Sequence, residues 1–172
     1  MGHKLLDKLL EENIIDNKEK YYRLAFSYVK NADDALDILQ ESIYKAFTGI
    51  GKIQNPEYIK TWFYRIVVNT SIDFLRKNKK AVAVDSDILE SHIKAEEDLY
   101  EDIDLHRAIE TLKPDYKSII ILRYFEDLKI TDIADILEEN VNTIKTRLYS
   151  GLKKLRIELN DEEEAYGKVK RA

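Results

Sequence analysis

Cationic and hydrogen-bonding side chains are concentrated in one short segment near the C-terminal end of the sequence. Residues 142–156, NTIKTRLYSGLKKLR, carry five basic side chains and no acidic one, although the chain of 172 residues has a formal net charge of −5. Lysine and arginine neutralise phosphate groups, while asparagine, threonine, serine and tyrosine form hydrogen bonds with phosphate oxygens and base edges. The composition of this segment is therefore typical of a surface that binds nucleic acid.

A helical period would place these polar side chains on one face of the segment. At 3.6 residues per turn, five apolar residues fall within about 80° of arc, which predicts a stripe that faces a core. The stripe consists of Val141, Ile144, Leu148, Leu152 and Leu155. The opposite side and its flanks carry the polar residues, which are Asn142, Thr143, Lys145, Thr146, Arg147, Tyr149, Ser150, Lys153 and Lys154.

A second predicted helix, ITDIADILEE (130–139), comes just before this segment, and Thr131 can cap it. Two short helices joined by a tight break, the second with a cationic face, fit a helix-turn-helix. Glu138 stands near the position where a small residue, often glycine, is usual, so we expect Asn140 or Asn142 to supply the left-handed backbone angle. An amphipathic helix in an ordinary bundle has the same pattern, so this helix alone leaves DNA binding and plain solvation equally open.

Three more helices are predicted in the N-terminal half. The first is KEKYYRLAFSYVK (18–30), in which apolar residues recur with a helical period. The second is DDALDILQESIYKAF (33–47), with Asp33 as its N-cap. Its predicted core-facing stripe consists of Leu36, Leu39, Ile43 and Phe47. The third starts at Asn55–Pro56, because proline suits the first turn of a helix, and ends in RKNKK (76–80).

The third helix has one continuous apolar face. It consists of Ile59, Trp62, Phe63, Ile66, Val67 and Phe74. We assign Trp62 to the core because it belongs to this face, although an exposed tryptophan could stack on a base. Tyr64 lies off the face, and we expect it to be exposed.

The composition favours an all-α protein of two small domains. Apolar residues make up 44% of the chain, which is enough for a core, and only two prolines and five glycines occur. Residues 81–104 hold nine acidic residues and one lysine, a charge of −8, which leaves +3 for the rest of the chain. We interpret this weakly patterned stretch as an acidic linker, an ordinary solvated surface segment being the alternative. The predicted domains are therefore 1–80 and 105–160, followed by a charged tail, 161–172, whose initial DEEE we expect to fray.

Several classes of function find little support in the sequence. No cysteine is present, so neither a disulfide framework nor a thiolate metal site is expected, and the three histidines are scattered. No apolar run approaches 18 residues, and no P-loop, G-x-S-x-G or H-E-x-x-H motif occurs. We therefore expect a soluble intracellular protein that is not an enzyme and that holds no metal ion or cofactor.

Both halves of the chain resemble one known family. In this order, the chain contains DDALDILQESIYKAF, YIKTWFYRIVVNTSIDFLRKNKK and LKPDYKSIIILRYFEDLKITDIADILEENVNTIKTRLYSGLKKLR. Over residues 18–157, these blocks are similar to the extracytoplasmic-function (ECF) sigma factors of bacterial RNA polymerase, and most of all to the SigV-like subgroup. The resemblance implies two helical domains, sigma-2 and sigma-4, that bind core RNA polymerase and direct it to the promoters of a stress-response regulon.

The resemblance also implies which residues of sigma-2 meet polymerase and DNA. Four residues of the acidic second helix match positions that dock on the clamp coiled coil of the β′ subunit, namely Leu36, Asp37, Gln40 and Glu41. The loop GIGKIQNPEY (49–58) corresponds to one that captures a flipped base of the minus-ten element, and a shaped polar pocket must return the energy of extruding that base. The implied minus-ten residues are Lys52, Gln54, Asn55, Arg65, Asn69, Arg76, Lys77, Lys79 and Lys80.

In sigma-4, the basic helix is similar to the segment that meets the minus-thirty-five element. The implied contacts are Asn142, Thr143, Lys145, Thr146, Tyr149, Ser150 and Lys153. Asn142 and Thr143 stand at the start of the helix, where phosphate contacts are favoured. Ser150 departs from the arginine that is often found in the family, which removes a long cation from this surface.

The resemblance implies three partners, which are core RNA polymerase through its β and β′ subunits, promoter DNA, and a membrane-anchored anti-sigma factor. It implies no small-molecule substrate, and a cytoplasmic protein that the anti-sigma factor can hold at the membrane. One alternative is a helix-turn-helix regulator that binds operator DNA independently of polymerase, usually as a dimer. Another alternative is a helical interaction protein with no DNA role. Co-purification with core polymerase separates the sigma factor from both alternatives.

Overall fold

The structure of the protein is a computed structural model that describes residues 2–82 and 103–171. Within these two ranges the chain forms seven α-helices joined by short turns, and it contains no strand. The described helices divide into two compact units, which confirms the all-α fold predicted from the sequence.

The first unit is a bundle of three helices. They are α1 (Gly2–Val29), α2 (Ala32–Gly49) and α3 (Ile59–Val82), and each packs against the other two. Two short 3-10 turns, Ile50–Lys52 and Pro56–Tyr58, join α2 to α3. The connection between α2 and α3 therefore contains one 3-10 turn in each of its two halves.

Three aromatic rings form the centre of this bundle. The ring of Tyr21 lies edge-on to those of Phe63 and Tyr64, at centroid distances of 4.6 and 5.0 Å. The prediction that Tyr64 is exposed is wrong, because its side chain is only 1% exposed. Since α3 packs against both α1 and α2, its buried arc is wider than a single stripe. Of the predicted face, Ile59, Phe63 and Val67 are buried, and Trp62, Ile66 and Phe74 are half-buried.

α1 is longer than the helix predicted over 18–30 and begins at Gly2. Its additional turns bury Leu10 and Ile14, which are four residues apart and lie on the side of the helix that faces the bundle. This spacing continues the period of the buried residues further along α1, such as Leu24. The N-terminal residues, which the sequence argument placed in the domain 1–80 but in no helix, therefore belong to α1.

α2 begins and packs differently from the prediction. Its N-cap is Asn31, whose side-chain oxygen accepts the Asp34 backbone N–H at 2.9 Å, so Asp33 is not the cap. The predicted stripe is also wrong, because Leu36 and Phe47 are 48% and 38% exposed. The residues that α2 buries instead are Ala35, Ile38, Ser42 and Ala46. Small side chains let neighbouring helices approach closely, so they can line a core although they contribute little hydrophobicity to the pattern.

The second unit contains α4 (Ile103–Glu110), α5 (Pro114–Ile120), most of α6 (Ile130–Leu137) and α7 (Val141–Arg171). A π-helical turn, Ile121–Phe125, continues α5. α4 and α5 both pack against α7, so α7 provides much of the surface on which this unit is assembled.

The apolar stripe predicted for α7 is confirmed. Its buried members are Ile144, Leu148 and Leu155, and its half-buried members are Val141 and Leu152. Gly151 also lies on the buried side, where a Cβ atom would stand 3.0 Å from Cδ1 of Ile120. Since real Cβ atoms rarely come so close to another atom, glycine at this position lets α7 approach α5 more closely than a larger residue would.

The caps of α6 and α7 also depart from the prediction. α6 begins at Ile130, so Thr131 lies inside its first turn and does not precede it as an N-cap. Before α7, Oδ1 of Asn140 accepts the backbone N–H of Asn142 at 2.8 Å. Asn140 is therefore the residue that caps α7, because its oxygen satisfies one of the free amide groups at the helix start.

The left-handed residue between α6 and α7 is Glu138, with a φ angle of 54°. The expectation that Asn140 or Asn142 supplies this angle is wrong. The Glu139 N–H donates to the Ala134 carbonyl at 3.0 Å, which together with the left-handed residue defines a Schellman end to α6. Glu138 thus occupies the position where glycine is usual, and it adopts the backbone angle that glycine would adopt.

The charged stretches at the end of each unit fall partly outside the described residues. α7 continues to Arg171, so the prediction that the run 161–164 frays is wrong. The ends of the predicted linker 81–104 belong to α3 and α4, and residues 83–102 lie outside the described residues. The linker and the predicted domain boundaries therefore remain predictions.

Candidate functional site

α2 carries the four residues expected to bind polymerase on one exposed face. At 100° per residue they lie within about 140° of arc, on the side of the helix away from its buried residues. They are Leu36, Asp37, Gln40 and Glu41, and all four are exposed. Tyr44, which is 71% exposed, and Phe47 share this face. The sequence argument did not assign Tyr44 to a site, and it placed Phe47 in the core.

The acidic charge of the α2 face is paired at one end. Nζ of Lys45 lies 2.9 Å from Oε1 of Glu41 and 3.2 Å from Oγ1 of Thr70. Both members of the ion pair are partly exposed, so it contributes about 0–1 kcal/mol to stability. Within the described residues Asp37 forms no ion pair, which leaves its carboxylate for an external partner.

The loop between α2 and α3 presents three of the predicted minus-ten residues. Lys52, Gln54 and Asn55 are all exposed. Beneath them Ile50 is fully buried, and the Ile53 N–H donates to the Ile50 carbonyl at 3.1 Å. The buried anchor and this turn fix the backbone that carries the exposed polar side chains.

Asn55 has a structural role in addition to the predicted one. Its side-chain Oδ1 accepts the Glu57 backbone N–H at 3.0 Å and so caps the 3-10 turn before α3. Because the oxygen is engaged, the side-chain NH₂ is the group that remains for a ligand. Asn55 would therefore act toward a base as a hydrogen-bond donor.

α3 carries the remaining predicted minus-ten residues, from Arg65 in its first half to Lys80 near its C-terminal end. Arg65, Asn69 and Arg76 lie within about 40° of arc on the helix, so they follow one line along its surface. Lys77 and Lys79 are exposed on the flanks of this line, and Lys80 belongs to the same helix. Arg76 also lies 4.0 Å from Asp73, a long and exposed ion pair that leaves the guanidinium able to exchange partners.

The seven residues expected at the minus-thirty-five element share one face of α7. They fall within about 160° of arc, opposite the buried stripe. The exposed members are Asn142, Lys145, Thr146, Tyr149 and Lys153, and the half-buried members are Thr143 and Ser150. Tyr149 is the most prominent of them for its size, with 68% of its surface exposed. The arrangement presents cationic, hydrogen-bonding and aromatic groups on one rigid helix.

The hydroxyl of Thr146 is used within the helix. It donates to the Asn142 carbonyl at 2.9 Å, so it is not free to donate to DNA. Its oxygen can still accept a hydrogen bond, and its methyl group is the kind that contacts the methyl of thymine. Toward a ligand, Thr146 therefore offers an acceptor oxygen and a methyl group.

Two cations beside this face are engaged within the second unit. Arg147 lies 3.3 Å from Oε1 of Glu139, which ties α7 to the end of the turn that precedes it. Nζ of Lys154 lies 4.5 Å from the ring centroid of Tyr116, a cation–π contact between α7 and α5. These two side chains therefore stabilise the unit, while Lys145 and Lys153 extend into solvent.

The part of the chain that the structure describes has neither a metal-binding cluster nor a membrane-spanning helix. No group of three or more His, Asp or Glu side chains there is placed to hold a metal ion. None of the helices described is long and apolar enough to cross a membrane.

Comparisons with known proteins find matches to both halves of the chain. The family model of sigma-70 region 2 matches residues 14–81, and that of sigma-70 region 4 matches residues 102–155. RNA polymerase sigma factor SigV of Bacillus subtilis (strain 168) is 57% identical over 155 residues, which cover 90% of this chain and 93% of that protein. The ECF RNA polymerase sigma factor SigW of the same strain is 32% identical over 84% of this chain and 85% of that protein.

The chain therefore belongs to the ECF sigma factors of bacterial RNA polymerase. Within this family it is of the SigV type, as the 57% identity over most of both chains indicates. Its function is promoter-specific transcription initiation with core RNA polymerase, and this expectation is confirmed over the alternative of an operator-binding regulator.

Solved structures support the same fold. The sigma factor RpoE in complex with the anti-sigma factor NepR from Bartonella quintana has a TM-score of 0.73 and 21% identity, and the alignment covers 87% of this chain and 96% of that chain. CnrH in complex with the cytosolic domain of CnrY has a TM-score of 0.68 and 15% identity, with coverage of 92% and 97%. At 21% and 15% sequence identity, the structural likeness shows a shared fold and nothing beyond the fold.

Proposed function

We propose that the protein binds core RNA polymerase through α2 and promoter DNA through two further surfaces. The observation that carries the proposal is the burial pattern of α2, in which the residues that face the bundle are mostly small and several large apolar and acidic residues face solvent. A bundle gains nothing by exposing leucine and phenylalanine, whereas a protein partner can bury them. This face is the proposed docking surface for the clamp coiled coil of the β′ subunit.

The chemistry of the α2 face suits a basic helical partner. Leu36 and Phe47 supply apolar area, while Asp37 and Gln40 can pair with cationic and amide groups across the interface. Glu41 has a weaker part, because Lys45 already lies 2.9 Å from its carboxylate. Of the four residues implied by the resemblance, Leu36, Asp37 and Gln40 are therefore the proposed main contacts.

The proposed minus-ten surface consists of the loop before α3 and the line of polar residues along α3. Lys52, Gln54 and Asn55 would meet the flipped base and its phosphates, and Asn69 would lie beside them. The cations of α3 would bind the DNA backbone, because neutralising phosphate charges with lysine and arginine provides much of the affinity in protein–DNA complexes. These cations are Arg65, Arg76, Lys77, Lys79 and Lys80.

The proposed minus-thirty-five surface is the exposed face of α7, placed in the major groove as the second helix of a helix-turn-helix. Lys145 and Tyr149 would reach base edges, because both are exposed and both lie near the middle of the face along the helix axis. Asn142 and Thr143 would position the phosphate backbone at the start of the helix. Thr146, Ser150 and Lys153 complete the surface.

The remaining expectations complete the proposal. Sigma-2 would comprise residues 1–80 and sigma-4 residues 105–160, with 81–104 as the acidic linker and 161–172 as a charged tail. The protein would act in the cytoplasm, without enzymatic activity, on a stress-response regulon. The anti-sigma factor NepR binds the sigma factor RpoE, and the cytosolic domain of CnrY binds CnrH, a protein of the same fold. Both complexes support a membrane-anchored anti-sigma factor as the third proposed partner of this chain.

Association with core polymerase tests the docking surface directly. The purified chain should co-purify with core RNA polymerase, and the variant Asp37→Ala with Gln40→Ala should do so at least about tenfold less well. A matched control is Glu11→Ala with Glu12→Ala, which removes two exposed residues of α1. Equal association of the α2 variant and the wild type would contradict the proposed docking surface.

A further inference from the structure

One cation of α2 has no part in the function described so far. Lys45 lies one turn after Glu41, at the edge of the proposed polymerase surface, and 40% of its side chain is exposed. Its Nζ lies 2.9 Å from Oε1 of Glu41 and donates a hydrogen bond to Oγ1 of Thr70 at 3.2 Å. Lys45 therefore connects a residue of the proposed polymerase surface with α3, the helix of the proposed minus-ten surface.

The contact with α3 places the ammonium group of Lys45 beside residues proposed to bind DNA. Thr70 is only 1% exposed, so its hydroxyl oxygen is a fixed anchor for the ammonium. Asn69 directly precedes Thr70, and Lys77 lies about 20° from Thr70 on the helix, two turns further along. Asn69 and Lys77 are both exposed and belong to the proposed minus-ten surface. The ammonium of Lys45 is therefore held at the edge of that surface.

In the free chain, the charge of Lys45 is neutralised by Glu41. The carboxylate at 2.9 Å cancels the positive charge locally, so the pair as a whole attracts phosphate very little. The pair is not permanent, because side chains that are 40% and 47% exposed form weak ion pairs that exchange partners. A competing cation can therefore take the carboxylate away from Lys45.

Polymerase docking would supply that competing cation. Glu41 belongs to the proposed docking surface, and a basic helical partner offers its carboxylate a second positive charge. When Glu41 pairs with that partner, Lys45 loses its counter-charge, while Thr70 still holds the ammonium beside α3. A phosphate oxygen of the DNA can then replace the carboxylate, because both are anionic acceptors of the same hydrogen bond. The exchange also agrees with a weak net contribution of Glu41 to docking, since one ion pair replaces another.

We propose that Lys45 binds a phosphate of the non-template strand at the minus-ten element, and that it does so only after polymerase has engaged Glu41. This inference rests on the proposed surfaces of α2 and α3, and it adds a DNA contact from α2 whose charge depends on docking. One phosphate contact with single-stranded DNA contributes about 0.7 to the slope of log affinity against log salt concentration. At about 0.1 M salt, that slope corresponds to a factor of about five in affinity.

The first measurement is the affinity of the holoenzyme for a single-stranded minus-ten oligonucleotide at several salt concentrations. Lys45→Met removes the charge and keeps the length of the side chain, so we expect about fivefold weaker binding at about 0.1 M salt and a slope smaller by about 0.7. Lys45→Arg keeps the charge and should bind like the wild type. Both variants should associate with core polymerase like the wild type. Weaker association of Lys45→Met would overturn the inference, because Lys45 would then contact polymerase.

The second measurement repeats the titration with the free chain. Lys45→Met should leave the salt slope unchanged, because an ammonium paired with Glu41 contacts no phosphate. Glu41→Gln imitates docking by removing the carboxylate, so it should raise the slope by about 0.7. Combining Glu41→Gln with Lys45→Met should remove that increase. An increase that persists in the double variant would overturn the inference, because it would not depend on Lys45.

The matched control is another lysine–glutamate pair with the same spacing, on α1. Nζ of Lys8 lies 3.9 Å from Oε1 of Glu12, and Lys8→Met and Glu12→Gln should leave the salt slopes of the holoenzyme and the free chain unchanged. Equal slopes for Lys45→Met and wild-type holoenzyme would overturn the inference, and so would the same loss of slope in the free chain. Failure of the proposed function would be seen in the wild type itself, whose holoenzyme would not prefer the minus-ten strand to a scrambled strand.

Discussion

Asn55 caps the 3-10 turn before α3 and has a proposed second role in base binding, and conservative substitutions can separate the two. Asn55→Asp keeps an oxygen that caps the turn, so the melting temperature should stay close to that of the wild type. The same change replaces the NH₂ donor with a carboxylate oxygen, so promoter opening should fall at least about tenfold. Asn55→Ala should lose both functions, with a cost in unfolding free energy of about 1 kcal/mol.

Thermal melting and open-complex assays on the two Asn55 variants provide the check. The account requires that stability and opening respond differently to Asn55→Asp. Wild-type opening by that variant would show that the amide does not donate to the base.

The left-handed backbone angle of Glu138 could not be predicted from its residue type, because glycine and asparagine adopt this angle more readily. A left-handed angle costs a residue with a Cβ atom about 1 kcal/mol or more relative to glycine. We therefore expect Glu138→Gly to raise the unfolding free energy by about 1 kcal/mol relative to Glu138→Ala. Both variants lose the same carboxylate, so urea denaturation of the pair isolates the backbone term. Equal stability of the two variants would contradict the observed φ of 54°.

The polar residues of the candidate sites could be predicted from the sequence, whereas the caps could not. The face of α7 follows from the helical period of Ile144, Leu148 and Leu155, because that period is set by burial. The cap of α2 is Asn31 although Asp33 is an equally good capping residue, so composition cannot choose between them. The choice depends on where the chain leaves α1, because this position decides which side-chain oxygen lies next to the free backbone amide groups at the start of α2.

At the scale of whole helices, α2 shows where a hydrophobic pattern fails. The pattern selects Leu36 and Phe47 for the core because they are large and apolar, but the helix is rotated by about 100° from that expectation. The helices of the bundle meet along small residues such as Ala35 and Ala46. Binding to a partner protein, which the sequence of this chain alone does not reveal, would explain why these large residues face solvent.

This rotation predicts opposite effects for two faces of α2. Leu36→Ala with Phe47→Ala should weaken binding to core polymerase at least about tenfold and lower the unfolding free energy by less than Ile38→Ala does, because both residues are partly exposed. Ile38→Ala, on the buried face, should instead cost about 2–5 kcal/mol of unfolding free energy. Thermal melting and competition for core polymerase measure the two properties. A large loss of stability in the exposed double variant would contradict the assignment of the two faces.

At the scale of the whole molecule, charge is divided between surfaces with different proposed partners. The polar face of α7 is cationic and that of α2 is acidic, although the chain as a whole carries −5. The all-α class and the presence of two patterned halves could be predicted from composition and period alone. The boundaries between the halves remain predictions, and the sequence of 81–104 has too little pattern to fix where a helix ends.

The acidic stretch itself gives a prediction at this scale. Neutralising the acidic residues of 85–104 with asparagine and glutamine should raise the affinity of the free chain for random duplex DNA, since like charges oppose the approach of phosphate. The difference should shrink at high salt, where such interactions are screened. Titration of both proteins with a random duplex at two salt concentrations measures it. Unchanged affinity at low salt would refute an electrostatic role for the stretch.

Reconstituted transcription tests the central claim most directly. Core RNA polymerase with this chain should initiate at its cognate promoter and not at a promoter with a scrambled minus-thirty-five element. The double variant Lys145→Ala with Tyr149→Ala should reduce that initiation at least about tenfold while still binding core polymerase, because it removes the proposed base-reading side chains. Initiation by the double variant at the wild-type level, with the same dependence on the minus-thirty-five sequence, would contradict the account.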